Sequence, residues 1–121
     1  MQETIVRATV RRVEDLLVWQ KAHQLVLQIY VATKTFPKEE LFGLVSQMRR
    51  SAVSVPANIA EGFRRRTKAD KQHFLTMAHG SLEETRYYLR LSGDLGYCQP
   101  GELLKLAEEV SKFMTLYFRQ A

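Results

Sequence analysis

Four stretches of this chain repeat apolar residues at intervals of three and four, the spacing of a helix with one buried face. The first runs from about Asp15 to Phe36 through Leu16, Trp19, Ala22, Leu25, Val26, Ile29, Tyr30 and Thr33. Pro37 ends it, because a residue before proline is pushed out of the helical region. The second opens at Pro37, with Glu39 and Glu40 suiting the helix dipole, and carries Leu41, Leu44, Val45, Met48, Ala52, Val55, Ile59 and Phe63. Pro56 lies inside it. A proline there removes one hydrogen bond and costs about 3 kcal/mol if uncompensated, so the helix either breaks near Ser54 or bends and continues. The stripe keeps its phase from Met48 to Phe63, which predicts one helix, 40 to about 65, kinked at Pro56.

Thr67 with Asp70 three residues on caps the third helix, whose stripe is Leu75, Ala78, Leu82, Thr85, Leu89 and Ser92, and Gly93 and Gly96 stop it. Gln99-Pro100-Gly101-Glu102 starts the fourth. Its apolar band, from Leu103 to Phe118, is wider than one core-facing stripe needs and points to a second contact. Loops of about two to five residues make successive helices antiparallel. The predicted fold is all-α, an antiparallel up-down-up-down four-helix bundle over 15–121, preceded by a flexible basic lead-in over 1–14 that holds Arg7, Arg11 and Arg12.

A chain of 121 residues buries such a core as one domain. A single cysteine, Cys98, excludes an internal disulfide and fits a reducing compartment. No apolar run approaches the roughly 18 residues of a membrane span, and the first dozen residues lack the apolar segment of a signal peptide. The expectation is a cytoplasmic protein with no membrane role. The net charge of +5 is concentrated between Ser46 and Phe74, where Arg49, Arg50, Arg64, Arg65, Arg66, Lys68 and Lys71 face only Glu61 and Asp70. Seven minus two equals the whole excess, and such a local excess suits a polyanion, although a merely solvated face has the same composition. Arg64 to Lys71 cluster at one helix end, with Arg49 and Arg50 roughly 22 Å along the helix. Contacts from these groups go to phosphates, which sets position and salt dependence rather than sequence preference.

On a helical projection with Ala52 inward, Arg50, Ser54, Ala57, Asn58, Glu61 and Arg65 fall on the opposite side of the second helix. Small residues at the centre of that side let another backbone approach, which points to an oligomer interface; the plainer alternative is that Ser54 and Ala57 accommodate the proline. Catalytic chemistry finds little support. No Glu-x-x-His motif of a bundle di-iron site occurs, and His79 with Glu83 gives only two ligands one turn apart. Cys98 has no histidine near it in sequence, and no glycine-rich phosphate loop is present. Arg66 and His73 loosely resemble the arginine–histidine spacing of bundle-type ribonucleases of the HEPN class, but Thr67 stands where that class has a polar amide or acid, and the pair straddles a loop. The expectation is no enzyme, no metal and no cofactor, with a ribonuclease as the remote alternative.

These residues resemble a known family, the small bundle proteins encoded in intervening sequences of bacterial 23S ribosomal RNA genes, related to the accessory variability proteins of diversity-generating retroelements. The likeness is carried by Leu17-Val18-Trp19-Gln20-Lys21-Ala22, Phe36-Pro37 with Glu40 and Gly43-Leu44, Gln47, Arg49-Arg50-Ser51-Ala52, Pro56-Ala57-Asn58-Ile59-Ala60-Glu61-Gly62, and Gly80-Ser81 with Glu84. It spans about Asp15 to Phe118. What it implies is a cytosolic bundle assembled as a ring, typically a homopentamer, with no established enzymatic activity. Its retroelement relatives are basic and bind nucleic acid and a reverse transcriptase, so RNA or DNA and a protein of that kind are the implied partners. An assembly scaffold whose basic charge serves solubility alone is the alternative from a different class.

Overall fold

The computed structural model describes residues 10–120, which contain four long helices and no strand. They are α1 (Leu17–Thr33), α2 (Ser46–Arg64), α3 (Lys68–Asp94) and α4 (Gly101–Gln120). A short 3-10 turn, Val13–Asp15, precedes α1, and a 3-10 turn (Lys38–Glu40) and a π turn (Leu41–Val45) join α1 to α2. Residues 1–9, most of the lead-in expected over 1–14, lie outside the described residues. Helix α1 packs on α2 and α4, and α3 packs on the same two.

Most of the core comes from the stripes read from the sequence. Tyr30, expected inside, is however 39% exposed, Leu16, Trp19 and Phe63 are half-buried, and Val18, outside the α1 stripe, is buried. Leu75, Ala78, Leu82, Thr85, Leu89 and Ser92 of α3 are all buried, as are Met48, Ala52, Val55 and Ile59 of α2 and Leu103, Ala107, Val110 and Met114 of α4. Thr67 caps α3 as expected, its hydroxyl accepting from the Asp70 amide at 3.1 Å. At the other end Gly96, at φ 79°, takes the left-handed conformation that lets the Tyr97 amide donate to Ser92 and its own amide to Gly93. Gly93 itself is required by packing, since a Cβ there would stand 2.7 Å from the Pro100 ring.

Two boundaries differ from the sequence reading. Helix α1 stops at Thr33 rather than near Phe36. The Thr33 side chain is buried, and its hydroxyl donates to the Ile29 carbonyl at 2.7 Å. The second helix does not start regularly at 40. Glu40 accepts from the Leu44 amide, Gly43 leaves the helical region at φ −110° and ψ −107°, and regular α-helix begins only at Ser46. A π turn holds more residues than an α turn and so slips the angular register. Leu41, expected in the core, is consequently 49% exposed, and Phe42 beside it is 93% exposed. At Pro56 the helix continues without interruption, with Pro56 itself buried, so no break occurs at Ser54.

Small residues define the α2–α3 contact. The Ser92 hydroxyl lies 3.3 Å from the Met48 sulfur, the Ser51 and Thr85 hydroxyls meet at 2.8 Å, and Ser81 donates to the Ser54 hydroxyl at 2.9 Å. Farther on, Gly62 lies against Phe74 so closely that a Cβ would sit 3.2 Å from it. The partners run in opposite order along the two helices. Every buried hydroxyl also finds a backbone acceptor one turn away, as Thr85 does at Ser81 and Ser92 at Tyr88, which offsets the cost of burying it.

Candidate nucleic-acid interface

Seven basic side chains define the expected patch, and the fold divides them into two groups. Arg49 is tied into the bundle. Its Nε donates to the Thr33 hydroxyl at 2.9 Å, its Nη2 to the Tyr30 carbonyl at 3.4 Å, and its guanidinium lies 4.5 Å from the Tyr30 ring centroid. It fastens α2 to the last turn of α1, where a cation also suits the exposed carbonyls. Arg65 pairs with Glu61 at 3.0 Å and covers the Phe74 ring at 4.5 Å. The Lys71 ammonium donates to the Phe63 carbonyl at 3.2 Å, closing the end of α2 onto α3.

Arg50, Arg64, Arg66 and Lys68 form the other group. All four are exposed, and none has a hydrogen-bonding or ion-pair partner among the described residues. Arg64, Arg66 and Lys68 occupy the three-residue connection between α2 and α3 and its immediate flanks. A positive end is therefore real, but it is smaller than the sequence count, and Arg50 stands apart from it near the start of α2.

Of the six residues placed on the outward side of the second helix, Arg50, Ala57, Glu61 and Arg65 are exposed. Ser54 and Asn58 are half-buried: Ser54 accepts from Ser81, and the Asn58 amide donates to the Ser54 hydroxyl and carbonyl, both at 2.9 Å. The projection missed this because α2 packs most closely on α3. Its buried arc includes Ser51 and Gly62 and is turned toward that helix, so Ser54 and Asn58 fall on its edge.

The sequence reading did not single out the surface around the π turn. Tyr30, Leu41, Phe42 and Val53 are exposed apolar residues around a groove of about 540 Å³ that Arg49 and Arg50 also line. A phase slip at Gly43 is the only signal that would have exposed the pair, and a projection at constant pitch hides it. On α3, Met77, Glu84 and Tyr87 are exposed on one side with Gly80, whose missing Cβ faces open space.

The chemistry-bearing residues are scattered. His79 and Glu83 are both exposed, and Glu83 pairs with Arg86 at 3.0 Å. No group of three or more potential metal ligands occurs among the described residues. Arg66 and His73 are both exposed, and His73 stands edge-on to Phe74. Cys98 is half-buried, and burial raises its thiol above the ordinary value, away from a reactive thiolate. No helix among the described residues is long and apolar enough to cross a membrane.

With the geometry in place, three comparisons bear on the chain. The family model described as 23S rRNA-intervening sequence protein matches residues 14–117. A crystal structure of a protein of unknown function from the S23 ribosomal protein family of Bacteroides thetaiotaomicron is similar in fold. It aligns at a TM-score of 0.76 with 22% identity, over 85% of this chain and 96% of that one. No curated protein matches the chain.

Proposed function

The chain belongs to the 23S rRNA-intervening sequence protein family, and from that premise we propose that it is a non-enzymatic, ring-forming cytoplasmic bundle that holds nucleic acid through its basic end. The observation that carries the reading is the set of unpartnered cations, Arg64, Arg66 and Lys68, at the α2–α3 connection. In this reading the helices run up, down, up and down, which the reversed order of the α2–α3 contacts supports. Helix α2 bends at Pro56, where the Ala52 carbonyl lacks its usual donor. The lead-in is an appendage to a single bundle domain.

The ring is a homopentamer, and the occupant of the groove at Phe42 is a second copy of the chain. A large aromatic side chain that is 93% exposed beside Leu41, Tyr30 and Val53 has no role in a lone monomer. The α3 surface with Met77, Gly80, Glu84 and Tyr87 offers apolar area, room and charge opposite to Arg50, so the contact joins unlike faces, as a closed ring requires. Arg50 and Ala57 extend the α2 side of that contact, while Glu61, paired with Arg65 within the chain, lies beyond it beside the basic end. Light scattering tests it: five copies of the 14.0 kDa chain give about 70 kDa, and Phe42→Glu should yield monomer. A monomeric wild type refutes the ring.

Nucleic-acid binding is tested by affinity for RNA and DNA against salt. A steep loss from low to moderate salt supports the reading, and the triple substitution Arg64→Ala, Arg66→Ala, Lys68→Ala should reduce the slope by about 2 on a single strand. No binding even at low salt refutes it and leaves an assembly scaffold, for which the Phe42 surface is the specific support.

A further inference from the structure

The beginning of the described chain returns to the end of α2. The 3-10 turn Val13–Asp15 packs against that helix and is held in place by the Gln20 amide, which donates to the Glu14 carbonyl at 2.8 Å, and by the Asp15 carboxylate, which accepts from the Arg12 amide at 3.4 Å. Between the turn and the helix lies a cleft of about 350 Å³. Arg11, Arg12 and Arg64 line it together with Glu14, and Ala60 and Phe63 add apolar wall. Segments about fifty residues apart in sequence thus bring three arginines to one cavity.

Resting on the nucleic-acid reading, we propose that this cleft is a seat for one nucleotide of a single-stranded RNA or DNA. Its phosphate is taken by Arg11, Arg12 and Arg64, and its sugar or base lies against Ala60 and Phe63. Three observations favour this ligand. Guanidinium groups match phosphate oxygens bidentately, and Arg11, Arg12 and Arg64 have no ion-pair partner among the described residues. The volume is at the lower end of the roughly 300–1,000 Å³ range of small-ligand sites, suited to one unit of a strand and not to a duplex. The apolar wall gives an unpaired base or sugar a surface that a duplex keeps covered. Glu14 opposes the phosphate and lowers the charge of the lining from +3 to +2. The cleft adjoins Arg66 and Lys68 in sequence, so the neighbouring phosphates of the strand have cations along the α2–α3 connection.

Fluorescence anisotropy of a labelled oligouridine about 20 nucleotides long, with oligothymidine and an RNA duplex as further arms, tests this on the full chain across about 50 to 200 mM salt. Arg11→Ala with Arg12→Ala should weaken single-strand binding about tenfold to a hundredfold. It should also make the salt slope shallower by about 1.4. Both residues precede the helices, so helicity by circular dichroism stays unchanged. Lys34→Ala with Lys38→Ala removes the same charge at the α1–α2 connection and should cost under about threefold. Glu14→Gln should tighten binding to both oligouridine and oligothymidine, because it removes the one negative charge that opposes the phosphate. A double arginine variant that falls no further than the lysine control, or a preference for the duplex, overturns the cleft and leaves the general nucleic-acid reading standing. A wild type that binds none of the three at low salt overturns both.

Discussion

Arg49 is the residue on which composition and geometry disagree most sharply, and its replacement separates them. Arg49→Ala removes a charged hydrogen bond to the Thr33 hydroxyl at 2.9 Å, a longer one to the Tyr30 carbonyl at 3.4 Å, and a stack 4.5 Å from the Tyr30 ring centroid. A hydrogen bond from a charged group contributes about 1.5–3 kcal/mol and a half-exposed cation–π contact about 0.5–1 kcal/mol. Thr33 is not orphaned, because its hydroxyl already donates to the Ile29 carbonyl, so no desolvation penalty is added. Discounted for partial exposure of the guanidinium, the loss is about 2 kcal/mol. A chain of this length has an unfolding entropy near 0.25 kcal/mol/K, so the midpoint should fall by about 8 °C. The neighbouring Arg50→Ala, which removes the same charge without a partner inside its own chain, should shift it by less than about 2 °C.

The assay is thermal unfolding of both variants at one protein concentration, since the proposed assembly would make the midpoint depend on concentration. Salt-dependent RNA binding is measured in parallel. Arg49→Ala should leave the salt slope at the wild-type value, because a side chain already held by Tyr30 and Thr33 contributes no free phosphate contact. Arg49→Lys should recover little of the lost stability, as an ammonium lacks the planar fork that makes all three contacts together. Equal midpoints for the two alanine variants would refute the fastening role. A slope reduced as much by Arg49→Ala as by Arg66→Ala would return Arg49 to the interface.

Gly93→Ala should destabilise the fold by about 1–3 kcal/mol, a midpoint loss of about 4–12 °C in a thermal melt, because its Cβ meets the rigid Pro100 ring at 2.7 Å. Thr85→Val should cost about 1 kcal/mol in denaturant titration. Ser51→Ala in the same background should add less than its separate effect, since the two hydroxyls share one contact. Stability should fall as pH rises above about 8.5 and again above about 10. Burial raises Cys98 and Tyr117, and the hydrogen bond to Glu40 raises Tyr97, so each group ionises more readily unfolded than folded. A denaturation midpoint that is flat from pH 8 to 11 would contradict this.

The sequence made the helices legible because periodicity and caps are local properties. The six-residue stripe from Leu75 to Ser92 is buried in full, and the Thr67 cap and the stop at Gly96 need no tertiary information. It was less informative where a side chain chooses between neighbours. Arg49 counts as one positive charge in a composition, whereas its worth depends on Tyr30 and Thr33 lying across the α1–α2 contact. Ser54 and Asn58 sit at the margin between outward and α3-facing, and a helical projection has no means of knowing which neighbour packs closer. Arg11 and Arg12 belong to a segment without period, so nothing in their spacing points to Arg64.

On the proposed reading of a ring that binds nucleic acid, the slip at Gly43 also bears on how assembly and binding would share one helix. The exposed Leu41 and Phe42 precede α2, whereas Arg64, Arg66 and Lys68 lie at its far end, beyond the 19 residues of regular helix from Ser46 to Arg64 and about 27 Å away by helical rise. A contact made at Phe42 therefore leaves the basic end uncovered. Rotation about a ring axis preserves height and radius, so a closed ring sets every copy of that end at the same level. Each copy alone offers a few weak, salt-screened phosphate contacts, but a strand reaching two or more copies binds the later ones at a high effective concentration. In the proposed ring the affinity would then depend on assembly even with the basic end outside the contact at Phe42. Phe42→Glu should consequently weaken binding to a long oligonucleotide far more than to one that spans a single end, with the per-copy salt slope unchanged. Equal losses for both lengths would show that Phe42 acts on the fold or on the ligand directly and not through the ring.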